Sequence, residues 1–375
     1  WVDQVRLVMD EVPNENVTAI IADATQPKTW YAGSGTTFFR SLNDGEGWEV
    51  AARFTDEEIA VMRVHPGRAG LVAVATQLSD GTGSHLYISW DCAETWEATP
   101  YSFGFQVQGL AWILREGNPV LLIASSVGLY ELSMQAESSP VQVLVDRTRQ
   151  TLGFYAVVAS IDASGGVNVA VAAQDTKGIY LSSGGGLTGS FRYTGLRGED
   201  IRQLVIQHDG PRSFLWAGSA VTGGNDPGKG CFTWELRGSQ DPPEGWQGFG
   251  KSWTGGTCRS ITFVGKKVLA SSHRAGVLQL DFHARDAPWQ SSDVGCGLPL
   301  RDPGRFHPIL TLAANPSANL VLSGGIRGVF RSNDEGQTYT SASNKVFADK
   351  VMLPATWLFI SGEHDIAVVS EDEAE

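Results

Sequence analysis

"LVLSGGIRGVFRSNDEGQTY" occupies residues 320–339, and its reading decides the fold. An apolar run leads into a glycine-bearing turn, a second apolar run ends at Ser332, and a polar turn is closed by Tyr339. Short apolar runs bounded by Gly, Ser, Asn and Asp read as hairpin strands, because those residues supply the backbone geometry of tight turns. The same plan stands at "LVAVATQLSDGTGSHLYISWDCAETW", residues 71–96. Its last turn matches at Ser, Asp, a small residue, Thr and an aromatic.

Working outward, the two-strand unit recurs eight times, over residues 29–41, 71–89, 120–133, 169–182, 214–236, 268–281, 320–332 and 357–370. The marker serines at either end, Ser41 and Ser370, are 329 residues apart over seven steps, about 47 residues per repeat. That period fits a four-stranded antiparallel blade and not a shorter helical repeat. Ahead of each pair lies another apolar stretch, such as "VTAIIAD", "IAVMRVH", "QGLAWIL", "RQLVIQH" or "RSITFV", which reads as the innermost strand. The expected fold is all-β: an eight-bladed β-propeller forming a single domain over 1–375. The blades fall at about 17–55, 58–99, 107–146, 154–195, 200–250, 258–294, 308–343 and 349–375 plus 1–11.

The turn that follows the marker serine carries the most specific signal. "SWDCAETW" (Ser89, Asp91, Trp96) and "SNDEGQTY" (Ser332, Asp334, Gly336, Tyr339) match fully. "SLNDGEGW" has Asn43 in the Asp position before Trp48, and "SQDPPEGW" carries Asp241 and Trp246 with Pro243 replacing Gly. These residues resemble the Asp-box, or bacterial neuraminidase repeat, of Asp-box β-propellers. A carboxylate can accept hydrogen bonds from turn amides, Gly permits the required backbone, and the aromatic packs as an anchor. On this reading the Asp residues stabilise turns and do no chemistry. The terminal "SEDEAE" places Ser370, Asp372 and Ala374 at positions one, three and five, and the next aromatic is Trp1 at the other end of the chain. The expectation is that the N-terminal strand completes the last blade and clasps the ring.

Composition narrows the function. Acids outnumber bases 41 to 28, a net charge of −13, which argues against nucleic acid and anionic lipid as partners. No apolar run reaches the roughly 18 residues of a membrane span. The chain starts at Trp1 and reads as a mature or trimmed form, exported to an extracellular, periplasmic or thylakoid-lumen-like compartment. Cys92, Cys231, Cys258 and Cys296 form no metal-ligand spacing. They allow two disulfides in three connectivities, or free thiols. No metal or cofactor is expected.

The resemblance extends to sialidases, which would imply an arginine triad, a tyrosine nucleophile and an Arg-Ile-Pro-like segment that this chain lacks. It extends also to photosystem II assembly and stability factors, which look like scaffolds with arginine-bearing faces. The expected function is therefore a non-catalytic interaction propeller docking to a protein partner or multi-subunit assembly. The binding candidates are Arg147, Arg149, Arg197, Arg202, Arg301 and Arg305 on inter-blade loops, and Trp253. The alternative is a secreted glycoside hydrolase or glycan-binding protein, for which Glu199, Asp200 and Asp302 are the candidate acids, since glycosidases need two carboxylates across a sugar.

Overall fold

The computed structural model describes residues 16–342, apart from 136–137, 162–165, 224, 238–239 and 285, together with the strands Thr356–Ser361 and Asp365–Ser370. Seven antiparallel sheets follow one another along the chain, and each is laid down from its innermost strand outward. The innermost strands are Val17–Ala22, Glu57–Val64, Val107–Arg115, Phe154–Ile161, Ile201–Asp209, Cys258–Val264 and Ile309–Asn315, which open blades 1 to 7. Each packs on the next, and the last packs on the first. The molecule is a β-propeller of seven blades.

The expectation of eight blades is corrected here. Blade 1 closes directly on blade 7: the Ile20 amide donates to Thr311 Oγ1 at 3.2 Å. The Arg331 guanidinium donates to the Asp44 carbonyl at 2.8 Å. Trp48, Trp30, Val17, Leu320, Leu322 and Val329 fill the seam between them. That face of blade 1 is occupied, so no eighth blade can stand between the two. The hairpin Thr356–Ser361 and Asp365–Ser370 pairs strand to strand as its own two-stranded sheet. Trp1 and Asp372, on which the expected clasp depends, lie outside the described residues.

Two local rules build the ring. The first explains the small residues that recur in the second strand of the repeat. A Cβ on Gly33 would come within 3.0 Å of Ile59, one on Gly218 within 2.9 Å of Cys258, and one on Gly324 within 2.7 Å of Val17. In each case the neighbour is a buried residue near the start of the next blade's inner strand. A small residue there lets adjacent blades approach to close-packed distance.

The second rule concerns the polar turn. The Ser89 and Ser332 hydroxyls each accept from the amide four residues on, at 2.9 Å. Asp91 and Asp334 accept from the amides of Thr95 and Thr338 at 2.9 and 2.8 Å, and from their hydroxyls at 2.6 Å. The Ser41 turn does the same with Asn43, whose Oδ1 accepts from the Gly47 amide at 2.8 Å. The fifth turn residue is left-handed, with φ of 66° at Ala93 and 82° at Gly336, which explains the small residue.

The turn brings the closing aromatic inward. Trp48 packs against blade 7, Trp96 against blade 1 and Tyr339 against blade 6, always the preceding blade. Trp246 follows suit against blade 4, although Asp241 pairs with Arg192. Among the described residues blade 6 keeps three strands, and its outer edge is a single bridge between Gln279 and Gln290. There Trp289 performs the anchoring, against blade 5.

Candidate functional site: the channel mouth

All seven inner strands carry a β-bulge at the same place. The register skips Thr18, Ala60, Gln108, Tyr155, Arg202, Arg259 and Leu310 in blades 1 to 7. A bulge leaves one residue unpaired and re-aims its side chain. Because every blade begins on its inner strand, the seven inner strands run in the same direction and the bulges lie at one level. Together they form the rim of a central cavity of about 610 Å³.

The cavity wall is mostly small and aliphatic, with four basic side chains: Arg63, Arg202, Arg259 and His208. Among the described residues no Asp or Glu lines it. In a protein of net charge −13, that segregation sets the mouth's chemistry. Arg202 lies over the Tyr155 ring, 4.9 Å from its centroid. Its Nε and Nη2 engage the Asp200 carboxylate at 3.1 and 3.0 Å. The hydrogen bond to Asp200 raises the Arg202 pKa against the opposing effect of burial. Arg259, on the next bulge, has no carboxylate partner among the described residues. Burial and then the Arg202 charge push its pKa down. His273, nearby, is likewise held below the ordinary imidazole value by burial and by Arg259, Arg274 and Arg301. Deeper in the cavity, Arg63 donates to the Met62 carbonyl at 2.8 Å and is depressed by burial.

Of the arginines expected to bind, only Arg202 lines this cavity. Arg147 lies against Gly189 in blade 4's outer hairpin, and Arg149 remains in the connection from blade 3. Arg197 stacks on the exposed Tyr193 at 5.6 Å. Arg301 and Arg305 sit on a small hairpin, Leu300–Asp302 with Arg305–Phe306, where Arg301 approaches Asp302 at 3.7 Å. Trp253 is 4% exposed, edge-on to Trp289, and its indole donates to the Gly256 carbonyl at 2.9 Å. It offers no open face to a ligand.

The candidate acids are dispersed. Glu199 pairs with Lys229 at 2.5 Å, Asp200 with Arg202, and Asp302 stands on the exposed hairpin. Two features escaped sequence reading. Arg259 is one: "RQLVIQH" and "RSITFV" are aligned inner strands, so Arg202 and Arg259 are equivalent positions of adjacent repeats. The other is a buried cluster in blade 2. Glu57 accepts from Thr76 Oγ1 at 2.5 Å, meets His85 Nδ1 at 2.6 Å, and accepts from the Tyr87 hydroxyl at 3.2 Å. Burial raises the Glu57 pKa, but these bonds outweigh it and hold the carboxyl below its ordinary range. Tyr87 is pushed up to about 12 by burial and by Glu57. An ionised, fully engaged carboxylate is a structural tie and not a general acid. Sequence does not reveal the His85–Glu57 contact because the two residues are 28 positions apart.

The four thiols are free, and Cys231 and Cys258 bring their sulfurs to 3.6 Å across the seam of blades 5 and 6. Among the described residues no group of His, Cys, Asp and Glu could hold a metal ion, and no helix is long and apolar enough to cross a membrane.

No family model matches this sequence, and no curated protein matches it by sequence similarity. Solved structures do resemble it. A GH74 xyloglucanase from Xanthomonas campestris superposes with a TM-score of 0.64 at 16% identity, covering 88% of this chain and 55% of that one. An ancestral GH74 enzyme gives 0.62 at 17%, covering 88% and 46%. The extracellular domain of a hybrid two-component system protein from B. thetaiotaomicron gives 0.58 at 16%, covering 86% and 39%. This chain spans about half the length of the first two neighbours or less. Identities this low establish the propeller fold and nothing of the chemistry.

Proposed function

We propose that this chain is a non-catalytic recognition propeller that docks a protein partner or larger assembly on its channel mouth. One observation carries the reading: Arg202 and Arg259 stand at the mouth and, among the described residues, no Asp or Glu lines the cavity, whereas a glycosidase needs two acids facing one sugar. Glu199 and Asp200, the nearest candidate acids, are each held in an ion pair. The repeated Ser-x-Asp turns are proposed to be Asp-boxes, serving only to anchor the blades. Export is part of the proposal, in keeping with the extracellular domain among the fold neighbours.

The test is affinity capture from the native source with the wild-type chain, Arg202→Gln/Arg259→Gln and Arg237→Gln as baits. A partner retained by wild type and Arg237→Gln but lost by the double variant is expected; a partner indifferent to the double variant contradicts the reading. The competing reading, a glycan-active protein, is favoured by the xyloglucanase fold neighbour. Incubation with xyloglucan and with chromogenic glycosides separates the two. Turnover that disappears in Glu199→Gln or Asp200→Asn would refute a non-catalytic role.

A further inference from the structure

We infer that Arg202 and Arg259 form an oxyanion-binding site at the channel mouth, taking a carboxylate or phosphate group between their guanidinium edges. Nothing in the fold requires two arginines on neighbouring bulges. The equivalent positions in blades 1, 2 and 7 are Thr18, Ala60 and Leu310, so the bulge itself tolerates small and apolar side chains. Two adjacent blades nevertheless present a fork into the same cavity, and Tyr155 on the bulge before them supports the first.

The hydrogen-bond inventory leaves a gap of the right kind. Arg202 spends Nε and Nη2 on Asp200 and lies over the Tyr155 ring. Its Nη1 has no partner among the described residues. Arg259 donates to no carboxylate among them and feels the Arg202 charge. A fixed guanidinium loses little side-chain entropy on binding, and its fork matches two oxygens of a carboxylate or phosphate. Asp200 already balances Arg202, so the uncompensated charge at the mouth is that of Arg259, and an oxyanion beside it relieves the cost of leaving that charge unpaired. Gln108, on the bulge of blade 3, lines the same cavity and adds an amide to the rim. The aliphatic wall beneath weakens competition from water, which strengthens charge-assisted bonds at the rim.

The site stands on this geometry and not on the docking of a macromolecule. Anion binding without any captured partner would leave it intact while removing the docking reading, and capture without anion binding would do the reverse.

The test is isothermal titration calorimetry at low ionic strength with inorganic phosphate and, separately, with glutarate. Saturable one-to-one binding of at least one is expected, and whichever binds identifies the oxyanion. Arg259→Gln and Arg202→Gln should each weaken it about tenfold or more, the loss of a charge-assisted pair of bonds. Arg259→Lys keeps the charge without the fork and should lose less. Arg237→Gln, whose arginine pairs with Glu235 outside the cavity, should bind as wild type. Thermal melts of all variants check that the ring is intact. The inference falls if neither anion binds with a Kd below about 10 mM. It falls equally if folded Arg259→Gln or folded Arg202→Gln binds as tightly as wild type.

Discussion

Two seams of the ring do the same job by different means. The seam between blades 7 and 1 joins residues nearly 300 apart in sequence, with the Ile20–Thr311 bond spanning 291 positions. The seam between blades 5 and 6 joins consecutive blades. Both follow the glycine rule, Gly324 against Val17 and Gly218 against Cys258, and both end on a tryptophan. They differ in how that tryptophan is satisfied. Trp289 donates to the Phe249 carbonyl of blade 5 at 2.9 Å, whereas the Trp48 indole N–H has no partner among the described residues. Trp48 holds its seam by packing alone, together with a turn that aims it. The comparison teaches that the closing seam takes its hydrogen bonds from Ile20–Thr311 and Arg331–Asp44 and leaves its tryptophan to pack. The internal seam draws one from its tryptophan and tolerates a blade of three strands among the described residues.

The largest test of that difference is truncation of the two tryptophans. Trp48→Ala should cost about 3–5 kcal/mol, the range for removing a fully buried aromatic. Trp289→Ala should cost a comparable amount plus the stranding of the Phe249 carbonyl. Urea melts by fluorescence and circular dichroism check both. If closure is the weak point, Trp48→Ala alone should broaden the transition as the ring stops unfolding as one unit.

The glycine rule gives the next effect. Gly324→Ala drives a methyl to 2.7 Å from Val17, 2.8 Å from Thr311 and 2.9 Å from Ile20, all on packed inner strands. Overpacking of this kind costs about 1–3 kcal/mol. Gly218→Ala meets the Cys258 sulfur at 2.9 Å, so a Cys258→Ala background should relieve part of that penalty, while the Cys258 Cβ at 3.2 Å and the Gln203 Cβ at 3.3 Å keep the rest. Equal losses in both backgrounds would break the rule.

Removing the turn sharpens the contrast between blade 7, which has it, and blade 6, which lacks it. Asp334→Ala should cost about 1–2 kcal/mol at neutral pH. Burial raises the Asp334 pKa, but hydrogen bonds from Thr338, Ser332 and Gln337 outweigh it and hold the carboxyl below its ordinary range. A lowered folded pKa means the contribution is present above the unfolded value near 3.9 and is lost as pH falls through the folded value. The stability gap between wild type and Asp334→Ala should therefore close in acid. A gap independent of pH would show that the charge is not what holds the turn.

The smallest effect is kinetic. Cys231 and Cys258 are sealed in the seam of blades 5 and 6, where burial and their mutual contact push the Cys231 thiol pKa up. Cys92, half-buried in its turn, should react first with a thiol reagent in the native state, though slowly because burial raises its pKa as well. Early labelling of Cys231 would mean that this seam opens.

Much of the ring was legible in the sequence because its determinants are local. Strand length, turn chemistry and the interval of about 47 residues are written within each repeat. Blade number was not, because an eighth hairpin at Thr356–Ser370 repeats the pattern as faithfully as the others. Only the contact of Val17 and Ile20 with Gly324 and Thr311 decides that the ring closes at seven. The same holds for the site. Sequence placed cations on inter-blade loops, where Arg197 lies over Tyr193 and Arg301 approaches Asp302 outside the cavity. The bulge, a property of register between two strands, selects Arg202 and Arg259 for the channel instead.

The sequence by itself determined an all-β repeat protein with aromatic-anchored turns, since hydrophobic period and turn residues act over a few positions. The tertiary structure alone decided the number of blades and the ring's closure at seven. It also decided which charges face one another, because closure and bulge geometry arise from contacts between residues that the chain keeps far apart.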